Sequence, residues 1–397
     1  MPGPGAYWIG EEEKREVMDV LESGYPFRYG DLSDSKYKQK VYTFEREFAA
    51  YTEAKYCVAT NSGTSTLLIS LKAADIQHGD EVIVPTYGFI ASYGAVIFLG
   101  GAPVLAEIDE SLCMDPQDIE KRITPKTKAI MPVHVLGNPC DMDAILEIAQ
   151  KKGLAVIEDC CQACGGTYRG KHVGNFGDFG GFSLNVFKTI TSGDGGMLIT
   201  NKDEYGEFAF GMTDQGYKRK EASVQIAPPS NLGFNFRMNE LTGAFALAQL
   251  RKLPRIVSTL RRKKKLFKDA IADCPGVSFR TIHDPNGECA TVLNVRFETR
   301  ERAAQVAEKL KTVTVDHTGW HVYFNMDHLL RHLQSIGQPC SHADFPRTED
   351  LLKRSINLSV GVVDPGLGTA FGININSTEE EIEAAAARFR QVCESTA

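Results

Sequence analysis

Apolar positions along the chain recur with two periods, and the switching between them sets the expected architecture. Acids Glu11 to Glu13 precede Val17, Met18, Val20 and Leu21 at helical spacing, and Gly24 supplies a stop, which predicts a helix over residues 10–24. A second helix is expected over Val41 to Tyr51, with Phe44, Phe48 and Ala49 on one side. From residue 57 short apolar runs alternate with helical stripes. The runs Cys57–Thr60, Val82–Pro85, Pro103–Ile108, Ala129–Val135 and Leu154–Glu158 read as strands. Helices are expected after the turn Asn61 to Ser65, where Leu67, Leu68, Leu71 and Ala74 form a stripe, then over Ala91–Leu99, Pro116–Ile123 and Met142–Lys152. This alternation predicts an α/β fold, with a mostly parallel central sheet flanked by helices and ligands at the carboxyl ends of its strands.

After residue 200 the alternation fades. A helix is expected over Asn239–Leu253, and the basic run Arg261 to Lys265 reads as a solvated helix face. From about residue 275 the texture is that of a smaller α+β domain, with a strand at Thr291–Phe297 and helices at Arg302–Lys311, Asp327–Ser335 and Glu379–Val392. The expected division is a large domain over 1–260, with an N-terminal helical segment, and a small C-terminal domain over 261–397.

Composition narrows the function classes. A chain of 397 residues is too long for one simple core, and 43% hydrophobic with 24% charged residues is ordinary for a soluble protein. The net charge of −7 argues against a general nucleic-acid binder. No apolar run reaches membrane-spanning length, and the start lacks a secretory pattern, so a cytoplasmic location is expected. The ten cysteines then read as reduced thiols. Cys160, Cys161 and Cys164 cluster, but no second spaced pair completes a zinc set, so no metal site is expected.

Four stretches carry candidate chemistry. Gly180 to Gly196 sets Lys188 among Ser183, Thr189, Thr191 and Ser192 beside a glycine-rich turn, and Met197–Thr200 follows as a short strand. An amine there is either solvated or a nucleophile toward a carbonyl. The turn Asn61 to Ser65 opens a helix, as a phosphate site or an ordinary N-cap. Glu158 and Asp159 end a buried strand, followed by Gln162, as structural acids or as a partner for a ring N–H⁺. Phe89 follows the strand ending at Pro85, as core or as a stacking ring. Taken together the four fit pyridoxal 5'-phosphate. No GxGxxG and no P-loop sequence supports a nucleotide alternative.

From about residue 8 to 390 the chain resembles the DegT/DnrJ/EryC1/StrS family, the sugar and cyclitol aminotransferases of fold type I. Six ordered segments carry the resemblance: Ser62-Gly63-Thr64, Gly79 to Pro85, Ile157 to Ala163, Gly174 to Asp178, Phe182 to Gly196, and Gly233 to Met238. The resemblance implies that Lys188 forms the internal aldimine and shuttles a proton. It implies that Asp159 partners the pyridine nitrogen and that Gln162 touches the cofactor. Gly63, Thr64 and Ser183 would hold the phosphate, Phe89 would stack on the ring, and Asn235 would reach the phosphate of a neighbouring subunit in a homodimer. The implied reaction moves an amino group from glutamate or glutamine, through pyridoxamine phosphate, to a ketone of a free or nucleotide-linked sugar or of a cyclitol. The rivals are a sugar dehydratase on the same scaffold and a non-catalytic binding protein that kept the fold.

Three positions depart from the family pattern. Cys164 stands for a frequent His, Asn185-Val186-Phe187 for His-Pro-Thr, and Asp194 for Glu. Cys164 and Asn185-Val186-Phe187 are therefore expected to face or flank the substrate pocket, with Asn185 and Phe187 as candidate contacts. His321, within Trp320 to Tyr323, is either a third substrate contact or part of a packed strand.

Overall fold

The computed structural model describes residues 3–225 and 231–396; Met1, Pro2, residues 226–230 and Ala397 lie outside them. A seven-stranded sheet forms the centre. Its strands are β1 (Tyr56–Thr60), β2 (Glu81–Pro85), β3 (Ala102–Ala106), β4 (Thr127–Ile130), β5 (Ala155–Asp159), β6 (Phe179–Ser183) and β7 (Gly196–Thr200). They lie side by side in the order β1-β7-β6-β5-β4-β2-β3. Strands β6, β5, β4, β2 and β3 run parallel, and β7 is antiparallel to both its neighbours. The sheet is buried on both faces, which is why these strands read as near-continuous apolar runs.

Helices α1 (Glu11–Ser23), α2 (Lys40–Thr52), α3 (Gly63–Ala73), α4 (Ile90–Phe98), α5 (Pro116–Arg122), α6 (Met142–Lys152), α7 (Asp203–Thr213) and α8 (Glu240–Ile271) flank the sheet. The expected α/β architecture is thus observed, with differences at particular places. The strand expected to run to Val135 is regular only to Ile130, but its pairing continues: Met131 N–H donates to the Ile83 carbonyl, Val133 bridges Asp159 and His134 N–H donates to the Asp159 carbonyl, before the chain turns tightly over Val135–Gly137. Helix α7 carries Gly206 and Gly211, which mask its periodicity. Gly206 is required because a Cβ there would meet the ring of Tyr56 at 2.5 Å.

Helix α8 runs past the expected end at Leu253 and through Pro254. Its buried face continues with Ile256, Val257, Leu260, Phe267 and Ile271, and this packing outweighs the lost hydrogen bond. The basic run on it is not simply solvated. Arg261 donates to the Glu288 carbonyl, Lys263 to the Ser377 carbonyl, and Lys264 pairs with Glu288, at 5% exposure for each lysine. Burial pushes Lys264 down to about 8. Residues 260 and 261 are consecutive residues of this continuous helix.

Beyond it, β8 (Val277–Phe279), β9 (Val292–Phe297) and β10 (Ser355–Ser359) form an antiparallel sheet. It is accompanied by α9 (Arg300–Lys309), α10 (Asp327–Ser335), α11 (Pro346–Lys353) and α12 (Glu379–Glu394). No helix among the described residues is long and apolar enough to cross a membrane.

Candidate active site

The carboxyl ends of the parallel strands open into a cavity of about 510 Å³. Gly63, Thr64, Phe89, Asp159, Gln162, Ser183, Asn185, Phe187, Lys188 and His321 all line it. Asn235 does not. It is exposed, opposite Asp214 in an isolated bridge, on a surface that also exposes Leu232 and Phe234. Cys164 does not line the cavity either: it is buried in a hydrophobic core cluster with Leu253, Val257 and Cys289.

Strand β5 separates its two acids by the alternation of side chains along a strand. Glu158, fully buried, accepts N–H bonds from Gly174, Phe176 and Gly177 and meets His134 Nε2 at 3.1 Å. The Cys140 N–H donates to His134 Nδ1, so the His134 proton sits on Nε2 and points at Glu158. His134, Glu158 and Cys160 come together as three buried donors, a grouping the cysteine spacing did not reveal. Their polar atoms are already engaged in framework hydrogen bonds. Asp159 is 3% exposed and faces the cavity. Its Oδ2 accepts from Ser92 Oγ at 2.7 Å and its Oδ1 from the Cys161 N–H at 3.0 Å.

Helix α3 begins at the cavity wall. Ser62 caps it by accepting from the Ser65 N–H at 3.1 Å, which leaves the first amides of the helix directed into the cavity. A Cβ on Gly63 would lie 2.7 Å from Ser183 Cβ and 2.9 Å from Cys161 Sγ, so only glycine brings this backbone so close. The N-cap and phosphate readings of this turn are therefore compatible.

The lysine loop follows β6. Lys188 N–H donates to the Asn185 carbonyl at 2.9 Å, and Asn185 Nδ2 donates to Asp194 Oδ1 at 3.0 Å. Thr191 Oγ1 donates to the Leu184 carbonyl and accepts from the Gly193 N–H, so this hydroxyl braces the loop instead of facing the cavity. The Gly3 N–H donates to the Val186 carbonyl, packing the N-terminal segment under the same loop. Lys188 Nζ stands 5.9 Å from the centroid of Phe89, with no carboxylate partner among the described residues. Gln162 Oε1 accepts from the Leu136 N–H at 2.7 Å, which fixes its amide and leaves its NH₂ for the cavity.

His321 is not on a strand. It ends a tight turn, Gly319–His321, that is tied to the loop after β2 by Gly88 N–H to His321 carbonyl at 2.8 Å and a Tyr87–Val322 bridge. Its ring lies 5.3 Å from Phe89, centroid to centroid. Burial and the nearby Lys188 charge hold its pKa down at about 3.

Ser92, Trp320, Asp364 and Leu367 also shape the site, and the sequence reading passed over them. Ser92 sits in the first turn of α4 and reaches an acid 67 residues away, so no local pattern marks it. Asp364 and Leu367 belong to a short turn, Asp364 being its N-cap.

Lysine, buried acid, aromatic and helix N-terminus meet at the carboxyl ends of the parallel strands, and the scaffold that carries them is that of the aminotransferases of fold type I. The chain belongs to the DegT/DnrJ/EryC1/StrS aminotransferase family, whose pattern matches residues 8–363. It is similar to the spore coat polysaccharide biosynthesis protein SpsC of Bacillus subtilis, with 35% identity over 88% of this chain and 90% of that one. It is also similar to the GDP-perosamine synthase of Escherichia coli O157:H7, with 39% identity over 66% of this chain and 68% of that one. Among solved structures, the aminotransferase from Psychrobacter cryohalolentis covers 100% of this chain and 99% of its own, with a TM-score of 0.83 and 28% identity.

Proposed function

We propose that this chain binds pyridoxal 5'-phosphate and transfers an amino group from glutamate or glutamine to a ketone of a sugar or cyclitol. The observation that carries the reading is the convergence of Lys188 and Asp159 with the Gly63–Thr64 amides in one cavity. The residues fit the cofactor: the uncapped amides of α3 and Ser183 suit a phosphate, and Asp159 suits a protonated pyridine nitrogen. When bound, the cofactor supplies an electron sink that accepts the amino group and then gives it up. Lys188 would hold it through its amine and, as a free amine, would move the proton at the donor's α-carbon. Phe89 would cover one face of its ring, and Gln162, held by the Leu136 N–H, would help to orient it. Asn235 completes the phosphate site of the partner in a homodimer, and the protein works in the cytoplasm.

A dehydratase on this scaffold would have no use for a nucleophilic lysine at this point, and Lys188 lies in the cavity. The test is Lys188→Ala. The variant should lose the visible absorbance of lysine-bound cofactor and all measurable turnover, while still retaining pyridoxamine phosphate. Normal turnover would refute the assignment.

A further inference from the structure

Leu136 adopts a backbone that a side chain disfavours. Its φ is 53° and its ψ 33°, the left-handed region in which a Cβ crowds the carbonyl that follows, and it is buried. Such a conformation persists only where its surroundings impose it. Here the imposing groups come from one later segment, residues 280–291. Arg280 Nη1 donates to the Val135 carbonyl at 2.9 Å and Nη2 to the Leu136 carbonyl at 3.0 Å. The Cys289 N–H donates to the Gly137 carbonyl at 2.9 Å, and Thr291 Oγ1 to the Leu136 carbonyl at 3.4 Å.

Burying Arg280 at this place is costly. It is 4% exposed, it forms no ion pair among the described residues, and Glu288 is engaged by Lys264. Its Nε is buried without a hydrogen-bond partner, so the guanidinium is aimed at the two carbonyls and forgoes a third bond.

The peptide unit between Val135 and Leu136 links this grip to the cavity. It is planar and trans, so its C=O and N–H point in opposite directions. Arg280 holds the carbonyl on one side, and on the other the N–H donates to Gln162 Oε1 at 2.7 Å. Only the amide oxygen can accept that N–H, so Gln162 offers its NH₂, a donor, to the cavity it lines. Turning the peptide over would let Leu136 relax to a negative φ. It would also bring the Val135 carbonyl to face Gln162. The amide would then turn its NH₂ to that carbonyl and its oxygen to the cavity.

We propose that Arg280 is a positioning residue for the cofactor site: its grip on the Val135 and Leu136 carbonyls sets which end of the Gln162 amide faces the cavity. The proposal rests on the reading of Gln162 as a cofactor contact. Arg280 itself does not line the cavity, so its effect passes through Leu136 to Gln162.

The test is a double-mutant cycle read as the dissociation constant of pyridoxal 5'-phosphate, titrated into the full-length apo protein. A wild type that takes up no cofactor refutes the proposed function itself, and the proposal with it. Gln162→Ala should weaken binding by about tenfold, the weight of one hydrogen bond. If it binds as wild type does, Gln162 is no cofactor contact and the proposal falls. Arg280→Met should weaken binding by about tenfold on its own, and by less than about twofold in the Gln162→Ala background. An equal loss in both backgrounds leaves the reading of Gln162 intact and overturns the proposal, since a fold defect acts whether or not Gln162 is present. Unchanged affinity of Arg280→Met overturns it too. Arg280→Lys keeps the charge without the two-pronged fork, and takes the place of Arg280→Met if that variant does not fold. The same dependence on Gln162 is expected of it, and independence from Gln162 counts equally against the proposal. The visible circular dichroism of the bound cofactor, which reports how its ring is set in the site, should depart from wild type in Arg280→Met and in Gln162→Ala alike. A wild-type spectrum in Arg280→Met would overturn the positioning role.

Discussion

Ser92 Oγ donates to Asp159 Oδ2 at 2.7 Å, and through that bond helix α4 orients the acid that β5 presents to the cavity. Ser92→Ala removes a buried hydrogen bond to a charged group. Cofactor affinity should fall by about tenfold or more. Titration of the apo protein with pyridoxal phosphate measures it. A lowered melting temperature with unchanged affinity would make Ser92 a fold residue only.

Gly63 is the position where the site tolerates no side chain. Gly63→Ala would drive a methyl into Ser183 and Cys161. The amides of α3 should then retreat from the phosphate, weakening cofactor binding. Inorganic phosphate should lose its ability to compete with the cofactor. Competition equal to wild type would place the phosphate elsewhere.

Asn235 is predicted to act across a subunit boundary. Leu232 beside it is 93% exposed and Phe234 is 59% exposed, unusual for large apolar groups on a free surface. Asn235→Ala should bind the cofactor less tightly as a dimer of normal stability. At cofactor concentrations low enough to leave Asn235→Ala largely empty, mixing it with the inactive Lys188→Ala should restore turnover, because a mixed dimer holds one intact site. No restoration would show that the two residues do not combine across chains.

Lys264 carries a pH signature. Its folded pKa of about 8 lies below the ordinary lysine value of 10.5. Between those two values the unfolded chain holds a proton that the folded chain has released, so stability rises with pH across that window. It is lost as pH falls through 8. The slope from this group approaches about 1.4 kcal/mol per pH unit. Chemical denaturation of wild type and Lys264→Met from pH 7.5 to 10.5 should show the slope in the first only. Parallel curves would mean that Glu288 fully compensates the burial.

The parallel sheet was legible because its strands are short, apolar and spaced by helices with clear stripes. Lys188, Asp159 and the Gly63 turn were legible because each sits directly after a strand, where such a sheet places ligands. Asp364 and Trp320 were not, since they reach the cavity from turns whose positions depend on long-range packing. His321 could be read only as an alternative between substrate contact and packed strand, because its turn is held by hydrogen bonds to residues far away in sequence. The basic run at 261–265 misleads for a related reason. Its inward partners, Ser377 and Glu288, come from later segments that no local window contains.

The continuity of α8 ties distant parts of the chain to one element. Its 32 residues pack against α1 and α2 at one end and against α12 and β9 at the other. The helix has no break at residue 260, so a substitution that unwinds it there would loosen the packing at both ends.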